Sequence, residues 1–116
     1  NNKDCISLII GSLLGNSYME KNEKGVRIVF IKCSGNIEYL IQFFNYLSNI
    51  GYCKSKKPKL NKVISKNNKV LYYFKTETMP CLNYYHELFY KDGIKIIPKN
   101  ISELLTARSL ALLLAF

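Results

Sequence analysis

A chain of 116 residues with 48% hydrophobic content supports one domain with a modest core. Its first apolar run, interrupted by Ser7, Ser12 and two glycines, is far shorter than the ~20 residues that span a bilayer, which excludes a membrane segment there. Seventeen Lys+Arg against eight Asp+Glu give a net charge of +9 and a pI near 9.4, more than solubility requires and suited to a polyanion such as nucleic acid. Cys5, Cys33, Cys53 and Cys81 are widely spaced, form no C-x-x-C pair and have only His86 as a histidine companion, which argues against zinc. No signal-peptide pattern opens the sequence, so reduced thiols in an intracellular protein are the expectation, with a disulfide framework as the second reading.

In chain order, Asp4 is expected to cap a helix starting near Cys5, its carboxylate accepting from the free N–H groups of the first turn. Ser7, Gly11 and Gly15 recur every four residues along that helix and leave one face almost without side chains. Glycine inside a helix costs up to ~1 kcal/mol relative to alanine, so close packing against another helix is implied as compensation. The flanking Ile6, Leu8, Ile9, Ile10, Leu13 and Leu14 predict burial nearly all round.

Past Asn16 the period changes. Tyr18–Lys21 and Val26–Cys33 read as strands joined by Asn22-Glu23-Lys24-Gly25. The second strand is apolar on both faces, so alternation does not say which side meets solvent. A helix begins at Ser34 or Asn36, carries Ile37, Leu40, Ile41, Phe44 and Leu47 at helical spacing, and closes at Gly51.

The next stretch is strongly basic, with Lys54, Lys56, Lys57 and Lys59 around Pro58, and leads into a second hairpin whose second strand reads as Val70–Thr78. On that strand Tyr73, Lys75 and Glu77 share the more polar parity, assigned to a binding face, and Tyr72, Phe74 and Thr76 the core parity. A third helix, Leu82–Tyr90, is rich in aromatics. Asn100 with Glu103 suggests a capping box for a last helix from Ile101 to Phe116, which carries a small-residue stripe at Ala107, Ala111 and Ala115. The result is an α+β chain: a four-stranded antiparallel sheet with helices on one face and a basic, tyrosine-bearing face left open.

The segment from Ile9 to Tyr18, the αββαββα order, and the later strings Leu88-Phe89-Tyr90, Lys95-Ile96-Ile97-Pro98-Lys99-Asn100 and Leu105-Thr106 together resemble the LAGLIDADG homing endonucleases encoded by organelle introns. The resemblance covers the whole chain, with residues 1–99 as one repeat and 100–116 leading into a second. It implies two halves whose signature helices pack through small residues, matched here by Gly11 and Gly15. It further implies a sheet saddle that reads double-stranded DNA and one acid per half that holds Mg²⁺ at the scissile phosphates. Asn16 stands where that acid is expected. Its amide oxygen can ligate Mg²⁺ but brings no charge, so weakened or absent cleavage is implied. Lys95 falls where such enzymes place a basic residue near the cleavage centre, the alternative being a solvated lysine on a connector.

The parity of Tyr18, Glu20 and Asn22 is the one that faces the groove in this family, and Arg27 and Lys32 are further base-reading candidates, Arg27 the better through its bidentate fork. Lys54, Lys56, Lys57 and Lys59 are placed on phosphates. Residues 110–116 match the start of a second signature helix with its acid one position further on. A fragment of a two-repeat enzyme, a chain working with a second half in another chain, and a relic that binds without cutting all remain open, a homodimer being less attractive. An RNA-binding maturase or ribonucleoprotein component of the same fold is the rival function, for which Asn16 is harmless. The resemblance, with the Lys, Asn, Ile and Tyr bias, implies a mitochondrial or plastid setting.

Overall fold

A computed structural model describes residues 2–33, 37–107 and 109–110. The elements run α1 (Asn2–Leu14), β1 (Tyr18–Asn22), β2 (Gly25–Cys33), α2 (Glu38–Asn49), β3 (Asn61–Ile64) and β4 (Val70–Lys75). A short 3-10 turn (Pro80–Leu82) then leads into α3 (Asn83–Phe89), followed by a small hairpin of β5 (Tyr90–Lys91) and β6 (Ile94–Lys95) and by α4 (Ile101–Leu104). The four long strands form one antiparallel sheet in the order β1-β2-β4-β3, the two hairpins joining through β2 and β4.

One side of the sheet is covered. Met19, Val26, Ile28, Phe30 and Phe74 are buried with Leu8, Ile9, Ile10 and Leu13 of α1, Leu40, Phe44 and Leu47 of α2, and Phe89 of α3. Phe30 stacks on Phe74 at 4.9 Å between ring centroids, and Phe44 meets Phe74 edge-on at 5.2 Å, so aromatic contacts lock α2 to the centre of the sheet. The C-terminus of α2 is closed by Gly51 at φ 90°, with Gly51 N–H on the Ser48 carbonyl and Tyr52 N–H on that of Leu47, a Schellman arrangement that a left-handed residue makes possible. Gly25 takes φ 139°, and a Cβ there would lie 2.6 Å from the backbone carbon of Met79. The reciprocal Val26–Met79 backbone hydrogen bonds hold that approach fixed.

Several expected boundaries move. Helix α1 starts at Asn2, so Asp4 lies in its first turn rather than at its cap. Ile6 is 45% exposed, against the expectation of burial all round. The expected starts of α2, Ser34 and Asn36, lie outside the described residues. Strand β4 ends at Lys75 because Thr76 turns inward: its hydroxyl accepts from Ile28 N–H at 3.0 Å and donates to the Glu77 carbonyl. The Asn100 side chain makes no capping bond, so the capping box does not form.

The last helix is not continuous. Leu105 is extended (φ −73°, ψ 134°), and the helix restarts at Thr106, whose Oγ1 accepts from Ser109 N–H at 3.0 Å. A hydroxyl acceptor for the third N–H of the new helix makes a fresh cap more favourable than running α4 through. Thr106 also meets Ser7 at 3.4 Å, so the Ser7 end of the small-residue face of α1 lies beside this restart. Ala107 is exposed, while Ala111 and Ala115 lie outside the described residues. Cys5 and Cys53 are buried free thiols and Cys81 is an exposed one. Burial pushes Cys53 up to about 11, which keeps it a neutral core residue.

Candidate nucleic-acid interface

The register sorts the sheet's two faces. Opposite the helices lie Tyr18, Glu20 and Asn22 of β1, Arg27, Val29 and Ile31 of β2, Leu71, Tyr73 and Lys75 of β4, and Asn61 and Val63 of β3, paired across strands as Glu20↔Arg27, Tyr18↔Val29↔Lys75 and Ile31↔Tyr73↔Asn61. At the centre, Glu20 Oε1 accepts from Arg27 Nε at 2.7 Å and from Lys75 Nζ at 3.2 Å. Burial alone would push the Glu20 carboxyl up, but the hydrogen bonds from Lys75 and Arg27 outweigh it and hold the group below the usual carboxylate range. Glu20 therefore fixes two cations in place. Its bond to Nε leaves the terminal fork of Arg27 uncommitted among the described residues, the part of a guanidinium that reads guanine O6 and N7 in pairs.

Lysines rim this face on one side. Lys54, Lys56, Lys57 and Lys59 are exposed on the connection from α2 to β3, which is held by Ser48 Oγ donating to the Ser55 carbonyl and Ser55 Oγ donating to the Lys57 carbonyl. Between that connection and β4 lies a cleft bordered by Lys54, Lys59, Asn61, Tyr73 and Lys75. Glu77 lies beyond the end of β4, pairs with Lys54 at 3.6 Å and lines this same cleft. One expected contact falls elsewhere. Lys32 pairs with Tyr72 across the strands and shares the parity of the buried Phe30, placing it on the helix side at the strand's end, where it borders a depression with Asn16 and Ile31.

The tip of α1 lies beside that depression. Gly15 and Ser17 N–H both donate to the Ser12 carbonyl, and this tight turn leaves Asn16 exposed. The Lys95 ammonium, carried on β6, donates to the Gly15 carbonyl at 3.2 Å and to the Ser17 carbonyl at 2.5 Å. Desolvation pulls the Lys95 amine below its ordinary value. Ser17 is fully buried and its hydroxyl finds no partner among the described residues. These donors do not fit a divalent cation: Asn16 is neutral, the adjacent carbonyls are engaged by an ammonium, and no cluster of three His, Cys, Asp or Glu occurs among the described residues.

Sequence reasoning missed Asn61 as a member of the open face, because β3 has no apolar alternation and its register is set by the Ser65–Lys69 turn. It also missed the roles of Glu20 as a clamp and of Tyr90, whose hydroxyl accepts from Met19 N–H at 2.8 Å while its ring stacks on His86 at 4.5 Å. His86 thus belongs to an aromatic pair at the edge of the core. Burial is the first of the causes that pull its pKa down.

A buried helix with an exposed polar tip, two hairpins in one antiparallel sheet and an open face of mixed character centred on a Glu–Arg–Lys cluster define an α+β repeat of the αββαββα kind. The profile of the LAGLIDADG DNA endonuclease family matches residues 6–115, and the chain belongs to that family. It is 34% identical over 114 residues to cytochrome b mRNA maturase bI2 of Debaryomyces hansenii, covering 95% of this chain and 44% of that protein. To cytochrome b mRNA maturase bI2 of Saccharomyces cerevisiae it is 36% identical over 121 residues, covering 96% of this chain and 29% of that protein. The chain thus spans less than half the length of these relatives. The homing endonuclease I-WcaI, solved bound to its DNA recognition sequence, shares the fold with a TM-score of 0.75 at 22% identity, over 96% of this chain and 49% of that one.

Proposed function

We propose that this chain is one half of a LAGLIDADG protein, that its open sheet face binds a specific double-stranded DNA site, and that it contributes little or nothing to cleavage. The observation that carries this reading is the clamp of Arg27 and Lys75 by Glu20 on an uncovered face flanked by lysines. Fixed guanidinium and ammonium groups supply base contacts, and the exposed lysines of the rim supply sequence-independent phosphate contacts. Asn16 supplies no charge for Mg²⁺, and the family's Mg²⁺-dependent hydrolysis has no complete donor set among the described residues of this half. A second LAGLIDADG half, in the same or another chain, is the partner implied by the length of the relatives.

A second reading draws on the relatives' names: as mRNA maturases, they favour an RNA partner, with the mitochondrial or plastid setting that the family resemblance implies. Selection from a randomised duplex library, followed by competition with intron RNA at equal salt, separates the two. Enrichment of one duplex sequence, relaxed at a single position by Arg27→Ala with a loss of about 1–3 kcal/mol, supports the DNA reading. No enrichment, with RNA bound more tightly than any duplex, overturns it.

A further inference from the structure

The tip of α1 presents two backbone carbonyls, those of Gly15 and Ser17, on either side of Asn16. Carbonyl oxygens grouped at the C-terminal end of a helix, where the dipole is negative, form a natural cation site. Here that place is taken. The Lys95 ammonium reaches both oxygens, at 3.2 Å and 2.5 Å, from a hairpin whose own position is fixed: Lys95 pairs with Tyr90, Ile96 N–H donates to the Phe89 carbonyl at 2.7 Å, and the Tyr90 hydroxyl is bonded to β1. The neutral Asn16 side chain gives an incoming divalent ion no charge with which to displace the ammonium.

We infer that Lys95 is the resident cation of this tip: its ammonium occupies the flanking carbonyls and excludes divalent ions, so this half brings a metal-free corner to any joint site. Lys95 is then a positioning residue that holds the Gly15-Asn16-Ser17 turn in the absence of metal. The inference shares the tip with the proposed function but does not depend on nucleic-acid binding.

The test uses Mn²⁺ alone, read residue by residue in ¹H–¹⁵N spectra of the full chain. In the native sequence, the amides of Gly15, Asn16 and Ser17 are expected to broaden no more than that of Gly51, an exposed residue at the far end of α2. Selective broadening at the tip overturns the inference. On an Asn16→Asp background, adding Lys95→Met is expected to tighten Mn²⁺ binding at the tip by about tenfold or more, whereas adding Lys95→Arg is expected to leave it weak. Equal affinities with and without Lys95→Met overturn the inference. Spectral dispersion reports whether each variant folds, and the native-sequence measurement decides if one does not.

Discussion

Glu20 shows how one side chain can serve both the fold and the binding face. Its carboxyl sits below the usual range, so the stability it adds is complete above the ordinary carboxylate pKa and is lost as pH falls through the lowered folded value. With 39% of its side chain exposed, solvent screening keeps that contribution under about 1 kcal/mol. Urea unfolding of the native chain and of Glu20→Gln is therefore expected to show a small gap near neutral pH that closes as the pH falls below the ordinary carboxylate range. The same substitution removes a negative charge from the face proposed to meet DNA, and non-specific duplex affinity is expected to rise while discrimination between sequences falls, measured by competition with random duplex. The parity of Tyr18, Glu20 and Asn22 came from the family resemblance, and the burial of Met19 between them agrees with it. The ion-pair partners were not legible in the sequence, since which lysine and arginine lie across from Glu20 depends on registers fixed by separate strand pairings.

Among the elements, the first hairpin is the best specified. Its turn stands where the Asn22–Gly25 tetrad predicts, and Gly25 is held by more than the turn: any side chain there would collide with the Met79 backbone as well as strain a φ of 139°. Gly25→Ala is expected to destabilise the chain by about 2–5 kcal/mol, combining backbone strain with a steric clash that the paired Val26 and Met79 backbones cannot relieve; chemical denaturation measures it. The helices were legible in kind but less so in their ends. Periodicity locates α2 through Leu40, Phe44 and Leu47, but it predicts an unbroken final helix, because Leu104, Leu105 and the alanines keep helical spacing through a break made by a single hydroxyl. A side chain that caps from inside an apolar pattern leaves no mark on that pattern.

For the whole molecule, charge is the earliest guide and the least specific. The net charge of +9 points to a polyanion, and the structure concentrates part of the excess on one connection beside the open face. Replacing Lys56, Lys57 and Lys59 with glutamine is expected to weaken duplex binding at low salt and to make the dependence of log K on log salt shallower by up to about 3 units, with little change in which sequence is preferred. An unchanged slope in a binding titration would place the phosphate path elsewhere. The small-residue stripe of α1 indicates close helix packing from sequence alone, and Ser7 does meet the start of the final helix.

Thr106 both begins the final helix and touches Ser7, so the alignment of that helix with α1 is referenced to one threonine. The short helix α4 before it is anchored separately, through Ile101 and Leu104 packed against the core, so a change at Thr106 is felt by the final helix while α4 stays seated.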